Sequence, residues 1–198
     1  MVIPREPEDV SSNEMSDGRR RDYTQAPQIT CAYLLGVIHD ATERHTTIRI
    51  ASKNLSFCKI LQKGINNLGS NAWIYKEGKS RDVYITEFSK KLLLNVEVKS
   101  RIDKINYIRG YFDAEGGIAK SPNVRFYIYF AQKNKKDLEQ VKKYLTDLGI
   151  SCGMTHNPSR RVDPNYFRFF IRAKSYRDFA KIIDSAHPDK QKLLRMKI

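Results

Sequence analysis

The chain has 198 residues, with 36 Lys+Arg against 22 Asp+Glu and a formal charge of +14. Apolar residues make up 40% and aromatics 11%, enough to build a core and to exclude global disorder. There is no apolar run of the roughly 20 residues a membrane span needs and no signal-peptide core, and Cys31, Cys58 and Cys152 are too far apart for a zinc knuckle and odd in number for a disulfide framework, so a soluble intracellular protein, cytoplasmic or organellar, is expected.

Residues 1–28 carry Arg5 and Arg19 to Arg21 against Glu6, Glu8, Asp9, Glu14, Asp17 and Asp22, a net −2 with no apolar period. They read as a poorly ordered or loosely docked tail. Residues 29–198 therefore hold +16. A polyanion is the natural partner of such a body, because each neutralised phosphate releases condensed counterion.

Next come a short apolar helix with a glycine (residues 33–41), a strand (46–50) and a helix ending near Gly69, where a left-handed residue terminates it. Strands at 72–76 and 82–86 and a helix at 89–94 complete the first half. The second half repeats the order: a glycine-bearing helix at 107–116, a strand at 124–130, a helix ending near Gly149, strands at 152–155 and 166–172, and a helix at 175–185. Ala51-Ser52-Lys53-Asn54 matches Ala131-Gln132-Lys133-Asn134, and Asn66-Asn67-Leu68-Gly69 matches Thr146-Asp147-Leu148-Gly149, both at an offset of 80 residues. Leu61, Ile65 and Leu68 align with Val141, Leu145 and Leu148 as a core-facing stripe. The expected fold is α+β: two pseudo-symmetric αββαββα halves, 29–105 and 106–198, the first hairpin of the N-terminal half being truncated. Their antiparallel sheets are expected to form one continuous curved surface, with helices behind.

Ile108-Arg109-Gly110-Tyr111-Phe112-Asp113-Ala114-Glu115-Gly116 resembles the LAGLIDADG motif of homing endonucleases, and residues 34–42 resemble a degenerate first copy. The resemblance covers about residues 29–198. It implies a monomeric two-motif endonuclease, intron-encoded, whose saddle grips a long asymmetric double-stranded DNA site and hydrolyses it with Mg²⁺ or Mn²⁺. Two other readings use the same scaffold: an RNA-binding maturase that assists intron splicing, and a DNA-binding regulator that has lost cleavage. Gly36, Gly110 and Ala114 would let two helix backbones approach closely. Their C-terminal ends would then bring two carboxylates together, which repel unless divalent cations sit between them.

Glu115, five residues after Gly110, falls where the family's metal-binding carboxylate belongs. Five after Gly36 stands Ala41, and Asp40 lies one place early. At about 100° per residue Asp40 serves only if the helix end unwinds or shifts register. Otherwise position 41 was changed to remove activity, or one half-site is catalytically dead. The metal position is assigned to Asp40, Glu115 and Ala114. The resemblance adds Gln132 and Lys53 as residues near the attacking water, and Lys99 and Lys190 as lysines near the scissile phosphate. DNA readout is expected from outward strand positions and hairpins: Arg49, Tyr75, Lys76, Arg81 and Tyr84 in one half, and Arg125, Tyr127, Tyr129, Lys133, Arg160, Arg161, Arg168 and Arg172 in the other. His39 reads as interface packing.

Overall fold

The computed structural model describes residues 27–78, 80–121 and 123–198, so the tail read from the first residues lies almost wholly outside the described part. Thr30 opens helix α1 (Cys31–Val37) by accepting from Tyr33 N at 3.1 Å. Past Val37 the coil tightens into a 3₁₀ turn, Ile38–Asp40, and Ala41 is already extended. Strands β1 (Thr42–Glu43) and β2 (Thr47–Ser52), helix α2 (Leu55–Asn67) and strands β3 (Ala72–Lys76) and β4 (Tyr84–Ser89) follow. The helix expected at 89–94 is a 3₁₀ turn, Lys90–Leu93.

The second half begins with α3 (Arg101–Glu115), opened by a reciprocal Ser100–Asp103 capping box. It continues through β5 (Gly116–Ile118), β6 (Ile128–Gln132), α4 (Lys135–Asp147), β7 (Phe167–Phe170) and α5 (Tyr176–Ile182) to a helix the sequence reading omits, α6 (Pro188–Lys197). The repeat is faithful in its middle helices. Asn54 caps α2 and Asn134 caps α4, while Gly69 (φ 83°) and Gly149 (φ 82°) take the left-handed conformation that ends each. The buried positions Cys58, Leu61 and Ile65 recur 80 residues on as Leu138, Val141 and Leu145.

The two sheets are separate rather than continuous. One is antiparallel in the order β1-β2-β4-β3, the other in the order β5-β6-β7. The expected strand at 152–155 is reduced to single bridges, Cys152 with Ile171 and His156 with Arg168, and that at 124–130 is ordered as a strand only from Ile128. Each sheet turns one face to its helix. Ile48, Ile50, Thr86 and Phe88 are buried in the first, and Ile128, Phe130 and Phe169 in the second. Two apolar clusters result: one spans Ile29 to Phe88 and also takes in Ala186, the other runs from Ile105 to Leu194.

Helices α1 and α3 form the seam between the clusters. A Cβ at Gly36 would overlap the carbonyl oxygen of Tyr107 and stand 2.6 Å from Tyr111 N. A Cβ at Gly110 would overlap the carbonyl oxygen of Tyr33 and stand 2.9 Å from Val37 N. The two glycines thus face each other's helix reciprocally, and backbone packs on backbone as the small-residue motif requires.

Candidate active site and nucleic-acid interface

The seam delivers the C-terminal ends of α1 and α3 to one place. The 3₁₀ turn at Ile38–Asp40 winds at about 3.0 residues per turn instead of about 3.6, which changes the direction of Asp40 relative to a continued α-helix. Asp40 is exposed and lines a cavity of about 250 Å³ together with Asp113, Ala114, His187 and Lys190. Glu115 is half-buried, and its pKa is pushed up to about 7, first by burial and then by the charge of Asp40. Burial also raises Asp40, while Lys190 pulls it down. Gln132 donates from Nε2 to Glu115 Oε1, and its own Oε1 accepts from Lys133 N at 2.6 Å. That reach follows from strand parity: Gln132 continues the helix-facing series Ile128, Phe130 and emerges at the strand end beside α3.

Three features of this centre go beyond the sequence reading. Asp113 is buried and receives Tyr33 Oη at 2.7 Å, Ala186 N at 2.9 Å and the Ser185 hydroxyl. Lys190 reaches from the first turn of α6 to the last carbonyls of α3, donating to Phe112 O at 2.6 Å, Asp113 O at 2.8 Å and Gly116 O at 2.7 Å. Burial pushes its ammonium down to about 8, against the attraction of Asp113. Lys120, five residues beyond Glu115, joins Lys53, Lys190 and Tyr129 around a second cavity of about 410 Å³ that runs along Gly116 to Ile118. The sequence signal for α6 was present in His187-Pro188, an N-cap followed by proline at the first helical position.

Several expected site residues stand elsewhere. Lys99 precedes the N-cap of α3, a helix of 15 residues, and pairs with Glu97 at 2.5 Å. A helix of that length puts it about 22 Å from the carboxylates. Lys190 is present at the centre, but its three donors are all taken by carbonyls, so it has no free N–H for a phosphate. Ala114 packs against the first cluster and brings no side-chain ligand, leaving only its backbone carbonyl.

On the outer face of the first sheet Arg49 is not free. Its side chain is 15% exposed, lies within 3.7 Å of Glu77 and 3.8 Å of Glu87, and stacks on Tyr75 at 5.6 Å. Glu87 also accepts from Thr47 at 2.6 Å and Tyr75 at 2.5 Å, and these bonds, with Arg49, hold its pKa below the usual carboxylate range. Lys76 and Tyr84 pair in register with Ser52, on the parity of Thr86 and Phe88, so they sit on the helix-facing side at the sheet's end. Lys76 lies 3.6 Å from Asp82 and Arg81 3.9 Å from Glu77. In the second sheet Tyr127, Tyr129 and Phe170 form an aromatic platform, with Arg168 over the Tyr129 ring at 4.7 Å. Arg125, Arg160 and Arg161 are exposed, Lys133 is 3.8 Å from Asp163, and exposed Arg172 donates to Cys152 O at 3.0 Å. His39 bonds Tyr107 Oη at 2.7 Å and packs on Tyr111, as an interface residue should.

A helix pair joined through glycines, with an antiparallel sheet and covering helix on each side, defines the LAGLIDADG class. Residues 103–184 match the family model of a LAGLIDADG-like domain, and the chain as a whole has a single-chain, two-domain fold of the LAGLIDADG type. Its fold is similar to that of the homing endonuclease I-DmoI in complex with DNA and Ca (TM-score 0.62, 24% identity, 83% of this chain and 96% of that one) and with DNA and Mn (0.58, 23%, 77% and 94%). Full-length DUF199/WhiA from Thermatoga maritima has the same fold at TM-score 0.64 and 17% identity, over 84% of this chain and 59% of that one. No curated protein matches the sequence. Among the described residues no helix is long and apolar enough to cross a membrane.

Proposed function

We propose that the chain is a site-specific, divalent-metal-dependent double-strand DNA endonuclease of the homing type, acting as a monomer on a long asymmetric target. The observation that carries this reading is the close packing of α1 on α3, which puts Asp40, one motif's carboxylate, in a cavity with Asp113 and Ala114, next to Glu115 of the other motif. Two mutually destabilising carboxylates suit a hard divalent cation, since a cation relieves the repulsion that otherwise favours protonation. No cluster of three acidic, His or Cys side chains occurs among the described residues, so a cation held by Asp40 and Glu115 would need further oxygen ligands from DNA phosphate or water. A divalent cation held there would supply Lewis-acid charge and make a coordinated water more acidic.

The chain's own groups do the rest. Gln132 fixes the Glu115 carboxylate through its amide N–H. Lys53 and Lys120 line the adjoining cavity and attract the phosphate backbone. The platform of Tyr127, Tyr129 and Phe170 with Arg168 faces the bases of one half-site. Specific cleavage of a randomised long duplex library with Mg²⁺, ends mapped, tests the proposal. Cuts on both strands at one recurring sequence support it, and uncut DNA at saturating protein refutes it. A cleavage-inactive DNA-binding protein is the second reading, favoured by Ala41 at the position matching Glu115. It predicts retention of specific duplexes without cuts.

A further inference from the structure

Lysine in the first turn of a helix is electrostatically misplaced, because that end already carries partial positive charge. Lys190 occupies such a position in α6. Its side chain leaves that unfavourable end and crosses to α3, where the partial charge is negative. There the ammonium meets the carbonyls of Phe112, Asp113 and Gly116 at 2.6–2.8 Å and lies 5.1 Å from the Phe112 ring centre. An ammonium has three donors, and all are used. The reverse connection runs from α3 to the segment just before α6, where the Asp113 carboxylate accepts from Ser185 Oγ, Ala186 N and Tyr33 Oη. The start of α6 is also tied to the first half: Asn54 donates to Asp189 at 3.0 Å, and the His187 ring lies 4.7 Å from that of Phe57. Glu115 sits between two of the carbonyls that Lys190 holds.

We infer that Lys190 is a positioning residue: with Asp113 it forms a two-way latch that fixes the last turn of α3 and thereby aims Glu115 at Asp40. It touches no substrate. The inference rests on the endonuclease reading for its consequence, though not for its geometry. It assigns α6 a role in assembling the metal site, and it makes the site asymmetric. Past α1 the chain forms a 3₁₀ turn closed by Ala41 N donating to Ile38 O at 2.9 Å, with no cation of this kind among the described contacts.

Charge and position give opposite expectations when Lys190 is removed, which makes the test decisive. Simple loss of a positive charge beside Asp40 and Glu115 would tighten divalent-cation binding. Loss of the latch would weaken it. Mn²⁺ binding to the full chain, followed by electron paramagnetic resonance without DNA, should be at least about tenfold weaker in Lys190→Met, at a temperature where the variant remains folded. Unchanged or tighter binding overturns the inference. Should Lys190→Met fail to fold, Lys190→Ala in ammonium chloride provides the second arm: ammonium should restore Mn²⁺ affinity where tetramethylammonium at equal ionic strength does not. Equal effects of the two salts would refute the latch. Because neither readout is cleavage, an inactive wild-type chain that still shows the Lys190 effect would remove the endonuclease reading and leave the latch.

Discussion

Substituting Gly36 by alanine tests the seam that brings the carboxylates together. On an ordinary helix the change stabilises, since alanine outranks glycine by about 1 kcal/mol in helix propensity. Here the new methyl would overlap the carbonyl oxygen of Tyr107 and lie 2.6 Å from Tyr111 N, both backbone atoms that no rotamer change can move. The helices must part by roughly 1 Å. A gap of that size forfeits about a quarter to a half of the dispersion at each lining contact. The contacts affected are among Tyr33, Leu34 and Val37 on α1 and Ile108, Tyr111 and Phe112 on α3, all buried. Overpacking strain of about 1–3 kcal/mol adds to this loss, for a total of roughly 3–5 kcal/mol. At about 2–4 °C per kcal/mol for a chain of this size, the midpoint should fall by roughly 6–20 °C. Calorimetry or circular dichroism reads the shift, with Gly69→Ala as the comparison. That residue has φ 83° and open space around a Cβ, so only backbone strain of about 1 kcal/mol should appear. A Gly36→Ala variant as stable as wild type, or more stable, would refute backbone-to-backbone packing of α1 and α3.

Glu115→Gln should lower cleavage of at least one strand by orders of magnitude while leaving DNA affinity within a few-fold in a gel-shift titration, since it removes a metal charge but no sheet contact. The same variant carries a pH signature. A carboxyl raised to about 7 in the fold, above its ordinary value of 4.5, favours the folded state below about 4.5, and that advantage is lost as pH rises to 7. Without metal, Glu115→Gln should therefore gain thermal stability over wild type at pH 8 and little at pH 4.5. Asp40→Asn should also cost orders of magnitude in single-turnover rate; if it is silent and Ala41→Asp creates or increases cleavage, Asp40 is not the ligand. Affinity for duplex DNA should drop steeply between about 50 and 200 mM salt, and a flat plot of log K against log salt would remove the phosphate-gripping groove.

The middle of each repeat was readable because local rules and burial agree there. Asn54 and Asn134 cap, Gly69 and Gly149 terminate, and the apolar stripe between them falls at helical spacing. The seam was readable for the same reason, as only glycine permits the approach seen at Gly36 and Gly110. Long-range polar pairing was not. Nothing local reveals that Glu87, on the neighbouring strand, and Glu77, just past β3, would converge on Arg49, or that Lys190 would spend its donors on carbonyls more than 70 residues earlier. Lys99 shows the opposite error: a lysine closing the first half in sequence lies at the wrong end of α3 in space. Asp40 falls between these cases. Its neighbourhood with Glu115 depends on a 3₁₀ turn that helical periodicity does not encode.

The pairing of Asp40 with Glu115 is the central claim, and anomalous scattering from Mn²⁺ in crystals of the chain bound to a DNA target tests it most directly. The account expects manganese within coordination distance of carboxylate oxygens from both residues, at about 2.0–2.3 Å. Manganese beside Glu115 alone, with Asp40 turned to solvent, would contradict it.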